Sequence, residues 1–187
     1  MQTRHIVRVF MHFKKLIPVE RAVDIITRNV EEINRVDIIP VEDALHRVTY
    51  TSIYADIDLP PFDRATMDGY AVRLDDIRTA SETNPTRLEI IGYVRTGETP
   101  KIEVVPGTAA RVDTGSVIPN GADVVIPIEY CEEVGRFVFV YRSFSYGENI
   151  QWVGADIMRG ELLVQKGVLL SSRHIGALVG CGVSSIK

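Results

Sequence analysis

The sequence predicts an α+β protein, mostly β, in which a β-rich unit is inserted into a domain that carries the helices. Helical patterns come first, and a final short helical pattern closes the chain. Between them, from residue 50 to about 153, lie most of the glycines, prolines and β-forming residues. The simplest arrangement joins 1–50 and 154–187 into one discontinuous domain and inserts 51–153, a barrel or a sandwich, between them.

Two helical patterns open the chain. The basic segment 4–16 contains no acid and places apolar residues on one helical face, which is typical of a membrane-surface helix, a transit peptide or the first helix of a domain. We favour the domain helix, because cleaved segments more often carry serine or a longer apolar run. The stretch from Pro18 to Ile33 predicts a helix by its 3.6-residue apolar spacing, and Pro40 to about Val48 predicts a shorter one.

The middle and the end of the chain predict strands. Glycine-rich turns separate four predicted strands, and no helical pattern interrupts them. These strands are Leu88–Val94, Ala109–Asp113, Val124–Ile128 and Phe137–Tyr141. Beyond Asp156 we expect two short strands around the turn at Lys166 and Gly167, then a helix capped by Ser171 or Ser172 that ends at Gly180 or Gly182, then the beginning of a strand.

The composition excludes several classes of protein. Among 187 residues, 45% are hydrophobic and 25% charged, and the net charge is −4 with a pI near 5.6, which argues against a nucleic-acid-binding protein. No apolar run approaches the ~20 residues that a membrane helix needs. Cys131 and Cys181 have neither disulfide-framework nor zinc-site spacing, so we expect reduced, packed thiols and a cytoplasmic protein.

The segment "LPPFDRATMDGYAVR", Leu59 to Arg73, concentrates unusual chemistry. Its aspartates do not follow the alternate spacing of an EF-hand loop, because Leu59 and two prolines interrupt the series. The pair Asp68-Gly69 predicts a hairpin turn. From residue chemistry alone, a structural role for this segment is favoured.

Two later segments have a related character. "RVDTGSVIPNGADVVIP" presents Thr114, Gly115 and Ser116 after a strand, and such a turn can direct N–H groups at an anion, although it lacks the lysine of a P-loop. A plain turn is the favoured reading of that stretch by itself. In "NIQWVGADIMRGE", Asp156 lies between small residues and an arginine-glycine turn, which alone indicates little.

Together and in this order, the three segments resemble the molybdopterin molybdenumtransferase family, which includes bacterial MoeA proteins and the E domain of gephyrin. The "MDGYAV" and "TG-x-x-x-P-x-GAD" patterns carry the resemblance, which extends from about Pro18 to Lys187. It implies an elongated first domain with helices and short strands and an inserted, barrel-like second domain. The pterin-binding third domain and the fourth domain of the family are absent from this chain, so we expect an amino-terminal part of such a protein.

The resemblance also implies an activity, the last step of molybdenum cofactor biosynthesis. Molybdate is inserted into adenylylated molybdopterin, and AMP is released with the help of Mg²⁺. The matching positions imply catalytic roles for Asp68, Thr114 and Asp156, with both aspartates as candidate Mg²⁺ contacts. The substrate-binding residues implied are Asp63, Arg64, Gly115 and Ser116.

Family members form their clefts between subunits, which implies a homodimer and a fragment that is inactive alone. Other proteins of molybdenum cofactor biosynthesis are implied partners, and neither nucleic acid nor membrane is. An alternative function is a non-catalytic scaffold or dimerisation module of the same family. A third hypothesis, a sugar- or phosphate-binding β domain, is indicated only by the Thr114 turn.

Several positions depart from the family pattern. Arg64, Ala65 and Thr66 stand where many bacterial relatives have Asn-Ser-Ala, and Gln151 replaces a common arginine. Ala155 replaces a common glutamate. These departures leave the predicted fold unchanged and leave the choice between molybdate and tungstate open.

Overall fold

The computed structural model describes residues 16–31, 33 and 35–187. The predicted basic helix at 4–16 therefore lies almost wholly outside the described residues. The chain divides into two units, Met1–Val36 and Asp37–Lys187, and we describe each by itself. None of the helices in the described ranges has the length and apolar character needed to traverse a bilayer.

Among its described residues, the first unit contains the helix α1 (Val19–Asn29). It begins after Pro18, whose fixed φ of −58° suits a helix start, and it ends where Val30 becomes extended. The helix predicted from Pro18 is confirmed, although it ends four residues before Ile33. Its side-chain ion pair, Asp24 to Arg28 at 2.8 Å, is solvent-exposed and adds little stability.

The second unit contains twelve strands and two helices. The strands are β1 (Ile39–Pro40), β2 (Ile53–Tyr54), β3 (Arg64–Ala65), β4 (Gly69–Val72), β5 (Thr86–Val94), β6 (Thr108–Val112), β7 (Val124–Pro127), β8 (Cys131–Val134), β9 (Phe137–Val140), β10 (Ile150–Gln151), β11 (Leu162–Val164) and β12 (Ser185–Ile186). The helices are α2 (Leu74–Ile77) and α3 (Ser172–Gly180). The mostly β, α+β class predicted from the sequence is confirmed.

Six strands form one curled sheet in the order β7-β4-β6-β5-β9-β8, with the shape of a half-barrel. All neighbours are antiparallel except β5 and β6, which are parallel. Every residue of β4 and of β7 is buried, so these strands are continuous apolar runs without alternation. The remaining strands form two-stranded pairs, β1 with β12, β3 with β10 and β11 with β2.

The four strands predicted in the β unit are confirmed as β5, β6, β7 and β9, each within two residues of its predicted bounds. Other features of this unit were not predicted, among them the short strands β3 and β10. Strand β8 carries two glutamates and lies at the edge of the sheet, and α2 is a single helical turn in a segment where we expected none.

The predicted hairpin turn at Asp68-Gly69 is wrong. Gly69 is the first residue of β4 and lies between Val112 of β6 and Pro127 of β7. Strand β3, just before it, pairs with β10 instead. The glycine is therefore needed for close packing between strands and makes no reversal of the chain.

The predicted helix from Pro40 to Val48 is also wrong. Only a 3₁₀ turn, Val41–Asp43, forms there. His46 then adopts a φ of 63°, which no right-handed helix tolerates, and Val48 bridges to Leu169. Pairing with distant segments therefore replaces the local helical pattern.

The end of the chain follows its prediction in part. Strand β11 and helix α3 form as expected, and the Ser171 backbone N–H donates to His174 Nδ1 at 3.1 Å at the start of α3. The second strand expected after Gly167 is reduced to the single bridge at Leu169. The two short segments therefore pair with earlier parts of the chain rather than with each other.

The core of the second unit consists of three apolar clusters. Two of them use only residues between Ala65 and Ile150. The third joins the beginning and end of the unit, with buried side chains such as Val41, Leu170 and Leu178. Both cysteines are free. The domain division at residues 51 and 153 stays a prediction.

Candidate active site

Asp68 and Thr114 meet at the ends of two neighbouring strands. Asp68 precedes β4 and Thr114 follows β6, and these strands pair with Gly69 opposite Val112. Asp68 Oδ1 accepts hydrogen bonds from the Thr114 backbone N and from Thr114 Oγ1, each at 2.7 Å. These two bonds, the backbone one first, hold the pKa of Asp68 below its ordinary value. The carboxylate is exposed and ionised, with its second oxygen free of these bonds.

Gly69 makes this meeting of strands possible. A Cβ at this position would lie 1.9 Å from the carbonyl oxygen of Ile126, which no real side chain allows. A glycine lets the backbone of β4 approach its neighbour closely. The Asp-Gly pair thus places Asp68 at the edge of a tightly packed strand.

The backbone N–H groups of the Thr114-Gly115-Ser116 turn all donate to other groups of the protein. Gly115, at φ 84°, donates its N–H to the Ala65 carbonyl at 2.7 Å, and the Ser116 N–H bonds the Asp113 carbonyl at 3.0 Å. With the Thr114 N–H on Asp68, all three donors are occupied. An anion at this turn would therefore contact side chains before backbone N–H groups.

Ser116 is fully buried, and its hydroxyl has no hydrogen-bond partner. Its backbone carbonyl accepts from the Ala65 N–H at 3.0 Å, which joins this turn to β3. In this conformation the Ser116 side chain faces the interior of the protein.

A second polar group forms on the other side of β3. Arg64 donates from Nε at 2.9 Å and from Nη2 at 2.8 Å to one oxygen, Oε1 of Gln151. The same amide donates from Nε2 to Asp156 Oδ1 at 3.1 Å. Arg64 and Asp156 are thus joined through a neutral amide, and Asp156 is exposed.

Asp63 connects the backbone segments of the site. Its Oδ1 accepts the Val153 N–H at 2.8 Å, and its carbonyl accepts the Ile118 N–H at 3.0 Å. These bonds support a structural role for this side chain in addition to the predicted substrate contact.

Strand β3 brings the predicted residues together. On one side its Ala65 bonds the turn at 115–116, and on the other it pairs with β10, which leads to Asp156. All seven predicted site residues thus lie on three adjoining segments. Within residues 16–31, 33 and 35–187, no three His, Cys, Asp or Glu side chains are grouped to hold a metal ion.

Sequence reasoning assigned no role in the site to three residues beside it, although it noted Gln151 as a departure from the family pattern. The Gln151 amide connects Arg64 with Asp156. Its role follows from the strand register, which places Gln151 opposite Arg64. The Arg111 guanidinium contributes to the low pKa of Asp68 and lies 5.3 Å from the centre of the Tyr93 ring. The Tyr93 hydroxyl donates to Asp113, next to Thr114, and this bond raises the tyrosine pKa.

Comparison with known proteins shows the same fold. Two crystal structures of a molybdopterin biosynthesis MoeA protein from Pyrococcus horikoshii superpose with TM-scores of 0.83 and 0.85, at 38% and 36% identity. Each match covers 92% of this chain and 44% or 45% of the other. The molybdopterin molybdenumtransferase of Bacillus subtilis is 36% identical over 174 residues, which are 91% of this chain and 40% of that protein.

The fold is that of the amino-terminal region of MoeA proteins. Residues 17–182 match the family model described as the MoeA N-terminal region, domains I and II. The chain belongs to this family and spans less than half the length of the relatives described above.

Proposed function

We propose that this chain forms one rim of the active site of a molybdenum insertase. In this reaction molybdate enters the dithiolene of adenylylated molybdopterin and AMP is released. The observation that carries the proposal is the Asp68–Thr114 contact, formed by the two most specific family motifs. The name of the Bacillus subtilis relative supports the same activity.

Each predicted catalytic residue has a role that its contacts support. Asp68 is held ionised by Thr114, so its free oxygen can orient a water or a cation. Asp156 has one oxygen on Gln151 and one free. Thr114 fixes Asp68, and its own hydroxyl lies at the surface where an anionic substrate would bind.

The residues present fit a Mg²⁺ ion that the substrate helps to bind. Mg²⁺ retains several waters and is usually held by one or two carboxylates together with substrate phosphates, so a closed protein cage is unnecessary. Asp68 or Asp156 can supply such a carboxylate. When bound, the ion would neutralise phosphate charge as AMP departs.

The proposal extends to the state of the whole protein. Because the chain spans less than half of its relatives, we propose that it functions as part of a longer protein, as a cytoplasmic homodimer, and that it is inactive alone. In this proposal the chain comprises two domains, a discontinuous one formed by 1–50 and 154–187 and an inserted one formed by 51–153. The longer protein would work with other proteins of molybdenum cofactor biosynthesis.

The test begins with the native polypeptide, captured with an antibody against this region and weighed by mass spectrometry. AMP release is then measured with adenylylated molybdopterin, molybdate and Mg²⁺. We expect release by the native protein and a loss of at least about 100-fold in its Asp68→Asn variant. A normal rate in a folded Asp68→Asn protein would contradict the role of Asp68. No pterin binding and no AMP release by the native protein would favour the scaffold function.

A further inference from the structure

The link between Arg64 and Asp156 has an unusual arrangement of charge. Arg64 and Gln151 face each other directly across the pair β3–β10, and two guanidinium donors converge on one amide oxygen. The other end of that amide holds Asp156 at 3.1 Å. A cation and an anion are therefore connected by a group that carries no charge.

This arrangement preserves both charges. Within the described part of the chain, no carboxylate lies within ion-pair distance of Arg64. An arginine has five N–H donors, and Arg64 uses two of them on Gln151, so three remain. A direct bidentate pair with Asp156 would instead occupy both groups with each other.

We propose that Gln151 is a positioning residue that presents Arg64 as the oxyanion-binding cation of this site and keeps it apart from Asp156. Its ligand class is a phosphate-like or metal oxyanion, because a planar guanidinium with free donors matches such oxygens. The biological ligand depends on the function proposed above. The oxyanion could be a phosphate of the nucleotide-bearing substrate or the metal oxyanion itself.

A purely structural role is the competing explanation. Strands β3 and β10 pair over only two residues, so the Arg64–Gln151 bonds also join them. A structural link to Arg64 would persist if the amide were replaced by a carboxylate, which forms an ion pair with Arg64 but loses the Gln151 Nε2 hydrogen bond to Asp156. An oxyanion site would not, because the carboxylate would neutralise the cation. The variant Gln151→Glu, almost unchanged in size, separates the two roles.

The experiment uses the 187-residue chain labelled with ¹⁵N, observed at the Arg64 Nε–H resonance. Sodium pyrophosphate and sodium molybdate are titrated separately, with sodium chloride of equal ionic strength as the reference. We expect a saturable shift of this resonance in the wild type and an affinity about tenfold weaker in Gln151→Glu. Urea unfolding should show that Gln151→Glu still folds, although its new carboxylate faces Asp156 where the amide donated a hydrogen bond.

The matched control is Gln165→Glu, which makes the same charge change at an exposed residue of the turn after β11. Its oxyanion affinity should equal that of the wild type. Stronger binding of pyrophosphate than of molybdate would identify the phosphate as the ligand, and the reverse order would identify the metal oxyanion. Either order agrees with the proposal.

Two results would overturn the inference. Equal affinities in wild type and Gln151→Glu would show that Gln151 does not position the cation. No saturable shift at Arg64 with either oxyanion would show that the site does not exist. The AMP-release assay tests the proposed function separately. If the oxyanions bind but the native protein releases no AMP, the insertase function is contradicted. If AMP is released but no oxyanion binds at Arg64, only this inference is contradicted.

Discussion

Asp68 and Thr114, 46 residues apart, are joined by two hydrogen bonds that end on the same carboxylate oxygen. One donor is backbone and the other is a hydroxyl, so a side-chain substitution can remove only the second. Thr114→Ala should therefore raise the pKa of Asp68 part of the way to its ordinary value. A ¹³C NMR titration of the Asp68 carboxyl measures the change. Thr114→Ser keeps the hydroxyl and should leave the pKa unchanged, and identical titrations of all three proteins would contradict the prediction.

The same contact predicts a dependence of stability on pH. Because the folded pKa of Asp68 is lowered, the unfolded chain binds this proton more readily, and stability rises with pH. The contribution is complete above the unfolded pKa and is lost as pH falls through the folded pKa. The difference in unfolding free energy between wild type and Asp68→Asn should therefore be largest near neutral pH and shrink in acid. Urea unfolding over a pH series measures it.

A double-mutant comparison separates this effect from other acid-sensitive groups. In the Thr114→Ala background, Asp68→Asn should change the pH dependence less, because one of the two bonds is already absent. An equal change in both backgrounds would assign the acid sensitivity to a different partner of Asp68.

Gly69 should be among the least replaceable residues of the chain. In Gly69→Ala, the new Cβ would lie 1.9 Å from the Ile126 carbonyl oxygen, so β4 and β7 must separate. We expect a loss of about 3 kcal/mol or more in the free energy of unfolding, measured by chemical denaturation. The control is Gly176→Ala in α3, where nothing lies within 4 Å of the new methyl group. It should stabilise the protein by about 0.5–1 kcal/mol, and equal losses at both positions would refute the packing argument.

The strands of the β unit could be predicted because their apolar runs and glycine turns are local signals. Gly69 shows the limit of such signals. An Asp-Gly pair before apolar residues is typical of a hairpin, yet here the glycine lies between two long-range strand partners. Similarly, the residues from Pro40 to Val48 have a helical pattern, but Val48 pairs with Leu169 instead. Both predictions failed where contacts distant in sequence override local preference.

The sequence motifs name candidate site residues, which stay a prediction, but they do not specify how those residues are arranged. Motifs marked Asp68, Thr114 and Asp156 individually. The bond between Asp68 and Thr114 depends on the register of β4 against β6, and the Gln151 link depends on the register of β3 against β10. Register is determined by pairing across the sheet, which a local pattern does not specify.

Removing the Ser116 hydroxyl and removing the buried Thr49 hydroxyl should change the stability of the protein in opposite directions. The Ser116 Oγ is buried without a partner, so Ser116→Ala removes an unsatisfied polar atom and should stabilise the protein by about 1 kcal/mol. Thr49 is also buried, but its hydroxyl donates to the Gln165 carbonyl at 2.7 Å and accepts the Val168 N–H at 3.0 Å. Thr49→Val should therefore destabilise by about 1–3 kcal/mol.

Thermal and urea unfolding of both variants measure this contrast, and oxyanion titration adds a functional reading. Because the Ser116 side chain is buried, Ser116→Ala should bind pyrophosphate as the wild type does. A loss of binding together with unchanged stability would instead show that Ser116 turns toward the substrate, as the sequence motif predicts. That result would require the Thr114-Gly115-Ser116 turn to rearrange. In the present conformation its three backbone N–H groups are held by hydrogen bonds to other groups of the protein.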